Sequence, residues 1–466
     1  MNDATRKPSA DRYAGGPVSK RASSLRYLQG TYAIVLAGGR GSRLRQLTAH
    51  RSKPALPFAA KLNIIDFALS NCVNSGIRRI GVLTQYKSQS LIRHLERGWG
   101  FLALHLGEFI DIVPAQQQVD EHWYSGTANA VYQNLELLRE SQPEQILILA
   151  GDHVYKMDYG RMLAEHAESG ADVTLACIEV PVEEACAFGV VAMDASGRIT
   201  RFDEKPARPQ TLPGKPGQAL VSMGIYVFSH ALLVEQLVRD AADEHSSHDF
   251  GRDLLPWLVK HRRVMAHRFE DSCVNMVGDR PYWRDVGTVD AYWAANIDLV
   301  AVVPELNLYD DQWPILSLQR QLPPAKFVFD DVGRRGMALD SLVSSGCIVS
   351  GAEVRRSILF SKVRVDEGSV IEDSVLLPNV KVGRNVRLRR AVVDMHCVLP
   401  DGFSAGWDEP LDRQRFFVTE RGITLVTPDM LGQGDPAETV PGALALAPRP
   451  ASSSSPLATP AFHWHD

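Results

Sequence analysis

Cysteine is scarce in this chain of 466 residues, and its six cysteines are widely scattered. They form no C-x-x-C pair, so the sequence indicates neither a cysteine zinc site nor a disulfide framework. Scattered thiols in a large chain are typical of a reducing compartment. The first residues are polar and contain no apolar signal core. We therefore expect a cytoplasmic protein.

The chain also lacks long apolar runs and a basic excess. No segment approaches the roughly 18–20 apolar residues of a membrane-spanning helix, so no membrane association is expected. Lys and Arg total 50 against 55 Asp and Glu, which gives a formal net charge of −5. Without a basic tract to neutralise backbone phosphates, nucleic-acid binding is not expected either.

A glycine-rich loop follows an apolar run in the segment 34–44, IVLAGGRGSRL. It lacks the lysine and serine or threonine of a P-loop. The dinucleotide pattern G-x-G-x-x-G can start at Gly39, but leucine replaces its third glycine. Gly38 and Gly39 permit close backbone approach to an anion, and Arg40 and Arg43 add charge in a geometry suited to phosphate. A solvated turn is the alternative.

Apolar runs alternate with helix-like segments from residue 31 to about residue 230. This alternation predicts a parallel sheet covered on both faces, with ligands beyond the carboxyl ends of its strands. Thr127 is the predicted N-cap of a helix. The glycine loop and Asp152 each follow a strand, so we expect both to open onto one crevice. The predicted strands are 31–37, 79–86, 145–152 and 172–180, and the predicted helices are 64–76 and 127–141.

Residues 343 to about 400 follow a different period, because aliphatic residues recur every five or six positions. Neither a helix nor strand alternation has this period, whereas a hexapeptide-repeat β-helix does, with each aliphatic pointing inside. Ordinary antiparallel strands are the alternative. Solenoids stack against neighbours, so we expect a role in assembly. The aliphatics are Val343, Val349, Val354, Leu359, Val365, Ile371, Leu376, Val382, Leu388, Val393 and Leu399.

A series of motifs resembles bacterial glucose-1-phosphate adenylyltransferase, also called ADP-glucose pyrophosphorylase, from about residue 30 to about residue 430. The glycine loop alone is typical of sugar-phosphate nucleotidylyltransferases in general. The family converts ATP and α-D-glucose 1-phosphate to ADP-glucose and diphosphate, the committed step of bacterial glycogen synthesis. The motifs are LAGGRGSRL, KPALPF, IIDFALSNCVNSGIRRIGVLTQY, WYSGTANAV, ILAGDHVYKMDY, AFGV, EKP, SMGIYVF, SSHDFGRDLLP and YWRDVGT.

The resemblance implies an α/β fold. A Rossmann-like nucleotidyltransferase domain with a mostly parallel sheet precedes a left-handed parallel β-helix of hexapeptide repeats. A homotetramer is expected because family members form one. The expected segments are a flexible 1–28, a catalytic domain 29–300, a linker 301–340, a regulatory and oligomerisation β-helix 341–432, and a disordered tail 433–466.

The family's reaction is attack by a sugar-phosphate oxygen on the α-phosphorus of ATP. The nucleophile is already ionised, so catalysis needs positioning and cations rather than a general base. By resemblance, Asp152 and Asp285 hold Mg²⁺, the expected cofactor. A helix cap and a turn aspartate are the respective alternatives.

The resemblance also assigns positively charged side chains to the phosphates. Arg40 and Arg43 are implied to stabilise the β- and γ-phosphates, Lys53 lies near the nucleotide phosphates, and Lys205 contacts the phosphate of glucose 1-phosphate. A residue before proline is held extended, which aims Lys205. An ordinary surface lysine is the alternative there.

Further residues are implied to line the substrate pocket. Glu204 contacts the sugar, and close approach of the hexose explains a glycine at 189. Tyr124 and Trp123 as core residues, and Asp249 as a helix cap, are the alternatives. The implied pocket residues are Gly38, Gly39, Gln85, Trp123, Tyr124, Gly189, Glu204, Lys205, Ser222 and Asp249.

Family members respond to small allosteric effectors at a basic site between the domains. This chain departs from the enteric pattern, because His50 replaces a lysine and PFAAKLN (57–63) lacks a histidine and an arginine. The candidate effector residues are His50, Arg51 and Arg415. We predict no strong response to fructose 1,6-bisphosphate or AMP. Fructose 6-phosphate and pyruvate are the favoured effectors.

Two rival functions remain open, and a third is rejected. A transferase of the same fold could use UTP or dTTP, or could transfer a guanylyl group to mannose 1-phosphate, because a few contacts decide the base. A regulatory subunit could bind nucleotide sugars without catalysis, although the candidate catalytic residues are all present. Acyl transfer by the β-helix, with His396 as its lone histidine, is the third, and it is rejected because the repeats are few and short and include no evident acyl-carrier site.

Overall fold

The computed structural model describes residues 27–39, 41–116, 123–276 and 280–434. Arg40, nearly all of the predicted flexible segment 1–28 and nearly all of the predicted tail 433–466 therefore lie outside the described residues. Within the described part, no helix is long and apolar enough to cross a bilayer.

The strands of the N-terminal domain form one nine-stranded sheet and two small ribbons. The strands are β1 (Thr31–Leu36), β2 (Pro57–Phe58), β3 (Leu62–Asn63), β4 (Arg79–Thr84), β5 (Phe109–Pro114), β6 (Gln145–Ala150), β7 (His153–Tyr155), β8 (Val173–Pro181), β9 (Gly189–Met193), β10 (Ile199–Glu204), β11 (Gln218–Ser229), β12 (Val264–Arg268) and β13 (Trp283–Asp285). The large sheet runs β10-β9-β11-β6-β1-β4-β5, and β8 joins β11 to β12.

The half of the sheet that positions the cleft is parallel, as predicted. Strands β6, β1, β4 and β5 are parallel neighbours. Strand β11 pairs antiparallel with both β6 and β8, so the predicted strand at 172–180 is separated from the parallel group. The antiparallel β11 therefore borders the parallel group next to β6, on the side away from β4.

Both faces of the sheet are covered by helices, as the sequence predicts. Ala33 and Val35 of β1 enter one core, while Tyr32 and Ile34 enter the other. This alternation follows from the two-residue period of a strand. The helices are α1 (Ile65–Ser75), α2 (Gln89–Gly98), α3 (Thr127–Tyr132), α4 (Leu135–Ser141), α5 (Tyr159–Ser169), α6 (Val182–Ala185), α7 (His230–Ala241), α8 (Leu255–His261), α9 (Val289–Ile297) and α10 (Glu409–Arg415).

The predicted helix over 127–141 is two helices, and the predicted cap at Thr127 is wrong. Gly126 occupies the N-cap position of α3 and makes no side-chain capping bond. The Thr127 hydroxyl instead donates to Oδ2 of Asp249 at 3.0 Å and accepts from the N–H of Phe250. The hydroxyl thus joins two segments of the chain rather than satisfying its own helix.

The C-terminal domain is a three-sided parallel β-helix, as the aliphatic period predicts. Most partners are 16 residues apart between the first coils and 17 apart between the later ones. Ten of the eleven predicted aliphatics are buried inside, and Val343 packs against them. The three faces are Lys326–Val328, Ile348–Ser350, Arg364–Val365, Lys381–Val382 and Val398–Leu399; Met337–Leu339, Glu353–Arg355, Val370–Glu372, Arg387–Arg389 and Ser404–Ala405; and Leu342–Val343, Ile358–Leu359, Val375–Leu376, Ala391–Val393, Thr424–Val426 and Phe417–Val418.

The segment 301–340 is more structured than a linker. Lys326–Val328 pairs in parallel with Ile348–Ser350, so the first β-helix strand lies before residue 341. Earlier in the segment, the Ser317 hydroxyl donates to Oδ2 of Asp66 in α1 at 2.6 Å. The two domains also share an apolar core, in which Phe58 and Phe360 are both buried.

Candidate active site

A cleft of about 600 Å³ opens where the parallel strands end. The sequence predicts that the glycine loop and Asp152 share one crevice, and the structure confirms this. The lining residues include Gly38, Gly39, Gly41, Arg43, Lys53, Gln85, Tyr124, Gly126, Thr127, Asp152, Glu204, Gly224, Tyr226, Asp249 and Gly251.

A small antiparallel ribbon brings the two predicted metal carboxylates together. Strand β7 starts one residue after Asp152, and β13 ends at Asp285. The pairing of the two strands sets Asp285 directly opposite His153. Side chains that face each other across an antiparallel pair lie on the same side. No helix begins at Asp152, which removes the helix-cap alternative.

Lys53 joins the two carboxylates. Its Nζ lies 2.9 Å from Oδ2 of Asp152 and 2.5 Å from Oδ1 of Asp285. Burial opposes the charge of Lys53, but the carboxylates of Asp152 and Asp285 outweigh it and raise the pKa of the ammonium. Burial likewise opposes ionisation of Asp152, and the charge of Lys53 outweighs it and lowers the pKa of this carboxyl. Lys53 and Asp152 are therefore both charged at neutral pH.

The same place is suited to a divalent cation. One ligand atom each from Asp152, His153 and Asp285 lies within 4.8 Å of the others. Two carboxylates already hold the ammonium of Lys53 between them, and oxygen ligands are those that hard divalent cations prefer. The residues present thus fit the metal that the sequence predicts.

The glycine loop lines one side of the cleft. Gly41 has φ +63°, a conformation that favours glycine, and its carbonyl accepts from the Thr48 hydroxyl at 3.0 Å. Arg43 is 60% exposed, and its Nη2 lies 3.5 Å from Oδ2 of Asp285. This guanidinium is therefore exposed enough to contact an anion bound in the cleft while it lies beside Asp285.

Gln85 and Tyr124 form the neighbouring wall. The Gln85 side-chain amide donates to the Tyr124 carbonyl at 3.2 Å, and the Tyr124 hydroxyl accepts from Asn134 at 2.8 Å. Trp123 is 58% exposed and lines an adjoining cavity with Gly38 and Gln85. The alternative of a core residue therefore fails for Trp123.

Glu204 and Lys205 lie at the end of β10, where only Glu204 is among the lining residues described. The Lys205 side chain is 55% exposed, and its Nζ lies 2.9 Å from Oε1 of Glu204. The prediction of an extended backbone at Lys205 is wrong, since its φ is +47°. The Lys205 N–H donates to the Phe188 carbonyl at 3.0 Å as β10 ends, and this bond accompanies the turn.

The remaining predicted pocket residues lie at different depths. Gly189 is buried opposite Glu204, and a Cβ there would lie 2.4 Å from the Phe202 ring. Ser222 is buried behind the wall, where its hydroxyl accepts from the N–H of Gly224 at 3.3 Å. Neither residue is among the lining residues described for the cleft.

Asp249 serves two purposes, because it lines the cleft and also caps the helical turn Phe250–Leu254. Its Oδ1 accepts from the N–H groups of Gly251 and Arg252, and its Oδ2 accepts from Thr127. The helix-cap alternative for Asp249 is thus correct, and it does not exclude contact with a ligand.

Two comparisons of sequence agree with this geometry. Residues 32–301 match the Nucleotidyl transferase family, and residues 323–426 match the GlmU-like, C-terminal hexapeptide family. The glucose-1-phosphate adenylyltransferase of Nitrosospira multiformis is 64% identical over 401 residues, which cover 86% of this chain and 94% of that protein. The chain belongs to the glucose-1-phosphate adenylyltransferase family. It is therefore a nucleotidyltransferase.

Other members of the adenylyltransferase family are similarly close. The enzyme of Nitrosomonas europaea is 62% identical over 406 residues, covering 87% of this chain and 94% of that protein. That of Methylococcus capsulatus is 59% identical over 420 residues, covering 90% of this chain and 98% of that protein. The similarity thus spans both domains.

A second cavity of about 340 Å³ lies between the two domains of this adenylyltransferase. Of the three predicted effector residues, only Arg51 lines it, and Asp394 holds its guanidinium at 2.7 Å. His50 instead faces Asp429 at 3.8 Å, and Arg415 packs over the Phe416 ring. The structure does not bring the three side chains together. The cavity's other basic residues include Lys61, Arg93, His94, Arg97, Arg320 and His396.

Several lining residues were missed at the level of sequence. Gly224, Tyr226 and Gly251 reach the active-site cleft from β11 and from the turn after Asp249. All three stand within the motifs SMGIYVF and SSHDFG, in which the resemblance implies roles for Ser222 and Asp249 alone. Arg93 and Arg97 were also missed, although their spacing of four places them on one side of α2.

Proposed function

We propose that this chain catalyses adenylyl transfer from ATP to α-D-glucose 1-phosphate, with Mg²⁺, releasing diphosphate and ADP-glucose. The observation that carries the proposal is the contact of Lys53 with Asp152 and Asp285 at the end of the parallel strands. The names of relatives at 59–64% identity support the same substrates.

The cleft offers each substrate a suitable wall. The glycine loop and Arg43 suit a triphosphate, because backbone N–H groups and a guanidinium both bind phosphate oxygens. Glu204 and Asp249 offer carboxylates to sugar hydroxyls at the other end. When bound, Mg²⁺ neutralises charge that develops between nucleophile and leaving group. Asp152 and Asp285 would hold it, and Lys53 would supply a further positive charge beside them.

The test is diphosphate release from glucose 1-phosphate with ATP, UTP, GTP and dTTP in parallel. We expect release with ATP alone, and a loss of about 10²-fold or more in kcat for Asp152→Asn. Asp311→Asn, an exposed surface change, is the matched control. Release with another nucleotide would change the base assignment. No release with any nucleotide, with effectors added, would favour a regulatory subunit.

We further propose that the interdomain cavity binds a small anionic effector, such as fructose 6-phosphate or pyruvate. Arg93, Arg97 and Arg320 supply positive charge there. The lining residues described for this cavity include no Asp or Glu that would neutralise it. Arg93→Ala should raise the effector concentration for half-activation about tenfold, while activity without effector stays unchanged. Strong activation by fructose 1,6-bisphosphate would contradict the preference for a singly phosphorylated or carboxylate effector.

We also propose a homotetramer that acts in the cytoplasm in glycogen synthesis. Exposed apolar side chains at Phe101, Leu104 and Leu106 support association, because such clusters mark interaction surfaces. Light scattering of the purified chain should give four copies. A monomer would contradict this part of the proposal.

A further inference from the structure

His153 lies beside the carboxylates of Asp152 and Asp285, although no motif in the sequence assigns it a role. Strand pairing sets it opposite Asp285, and its Nε2 lies 3.6 Å from Oδ1 of Asp152. An imidazole nitrogen of His153 and one oxygen from each carboxylate lie within 4.8 Å of one another. A single cation could therefore contact all three residues after small side-chain movements.

Packing holds the His153 ring in this position. The imidazole is only 14% exposed and meets the Trp283 ring edge to face at a centroid distance of 5.0 Å. Trp283 packs in the same way against Phe188 at 5.1 Å. On the cleft side, a Cβ on Gly224 would lie 3.7 Å from Cε1 of His153. The ring therefore stands between an aromatic wall and the cleft.

The two ring nitrogens of His153 have different surroundings, and Nε2 is the one that faces Asp152. Its Nδ1 is buried and has no hydrogen-bond partner among the described residues. In histidines that bind metals, a bond at the second nitrogen usually fixes the tautomer. No described group makes that second bond for His153, so packing and strand pairing, rather than a fixed tautomer, direct Nε2 towards Asp152.

We propose that His153 is a third protein ligand of the divalent cation, through Nε2, beside Asp152 and Asp285. The proposal rests on the proposed metal site. An imidazole adds little affinity for Mg²⁺, which prefers oxygen ligands, and more for ions later in the series from Mn²⁺ to Co²⁺. His153 thus makes the site more selective for Mn²⁺ and Co²⁺ than two carboxylates alone.

The decisive experiment detects a histidine nitrogen on the bound metal. Enzyme labelled with ¹⁵N-histidine is loaded with Mn²⁺ and ATP and measured by electron spin echo spectroscopy. The label separates histidine from adenine nitrogens. We expect ¹⁵N coupling in the wild type, its loss in His153→Gln and His153→Phe, and its retention in the exposed control His105→Gln. Bound Mn²⁺ without histidine coupling, or coupling retained in both His153 variants, would overturn the proposal.

Metal affinity gives an independent readout on the same variants. Loss of His153 should weaken Co²⁺ and Mn²⁺ binding by about tenfold or more, the lower end of what supporting metal-site residues contribute. Mg²⁺ binding should change less than about twofold. An equal loss for all three ions would mean that His153 only positions Asp152, contrary to the proposal. A wild type that binds none of them would refute the Asp152–Asp285 metal site itself.

Discussion

Lys53 holds two carboxylates close together at the place proposed for a divalent cation. Its ammonium lies between two carboxylates that are far apart in the sequence, and the side chain is 6% exposed. The positive charge stabilises a cluster that would otherwise repel itself. It also occupies the place where a divalent cation would be held.

Replacing Lys53 should therefore separate stability from catalysis. Lys53→Met leaves two carboxylates without their cation, and breaking a buried pair costs about 3–5 kcal/mol. We expect a lower melting temperature that Mg²⁺ restores more than in the wild type, and a loss of kcat of at least about 10²-fold. Calorimetry with and without Mg²⁺ measures this, with the exposed Lys260→Met as control. An equal Mg²⁺ effect in both proteins would contradict the explanation.

His166 gives a pH prediction at the same scale. Burial lowers the pKa of His166 to about 4, although Asp172 opposes the shift. The unfolded chain takes up this proton first, near its ordinary pKa of about 6.5. Stability is thus present above about pH 6.5 and is lost as the pH falls towards 4, by up to about 1.4 kcal/mol per pH unit.

The variant His166→Gln should be less stable than the wild type at pH 7 and should lose less stability at pH 5. Urea unfolding midpoints at the two pH values measure the difference, in which the titration of the carboxylates cancels. If the gap between the two proteins is the same at both pH values, the titration assigned to His166 is wrong.

At the scale of elements, short pairings and crossings position the site more than the long strands do. The ribbon of β7 and β13 contains three pairs of residues, yet it sets Asp285 beside Asp152. Gly126 crosses the segment Ser247–Asp249 so closely that a Cβ on it would lie 2.2 Å from the His248 carbonyl oxygen. That crossing also holds Asp249 at the cleft through Thr127.

Gly126→Ala should therefore damage the site by displacing the neighbouring backbone. The added methyl pushes the 247–249 segment away, and a displacement of about 1 Å near a reacting centre can cost about 10²-fold. We expect kcat/KM to fall by at least about tenfold. Gly217→Ala, where no described atom lies within 4 Å, is the matched control and should leave kcat/KM unchanged. Wild-type kcat/KM in Gly126→Ala would contradict the crossing's role.

At the scale of the whole molecule, the ion pair of Arg51 with Asp394 connects the β-helix to the catalytic domain. Arg51 stands two residues before Lys53, and its guanidinium contacts both carboxylate oxygens of Asp394, at 2.7 and 3.4 Å. Both side chains are largely buried. The two domains also share an apolar core. The β-helix therefore supports the segment that carries Lys53.

Removing one partner of this pair should lower the free energy of unfolding, whereas replacing both partners with apolar residues should lower it much less. Arg51→Met leaves Asp394 buried without its cation, which costs about 3–5 kcal/mol. The double variant Arg51→Met with Asp394→Leu should recover most of that loss, because neither charge remains buried. Thermal unfolding of the two variants and the wild type measures this. A double variant no more stable than the single one would show that the pair is not the relevant contact.

The sequence by itself determined the type of each domain. Alternating apolar runs predicted the parallel strands, and the five-to-six-residue period predicted the β-helix, because both patterns reflect which side chains face a core. The glycine loop and Asp152 could be assigned to one crevice, since parallel strands end on one edge. Such properties are local, so they can be read without knowing what lies opposite.

Only the tertiary structure decided which distant groups meet. The pairing of Asp285 with His153, the contact of Lys53 with two carboxylates and the basic residues between the domains all depend on strand register and on how the domains pack. The turn at Lys205 and the contact of Thr127 with Asp249 overrode local preferences for the same reason. A local pattern carries no information about its long-range partner, and those partners determine the chemistry of this cleft.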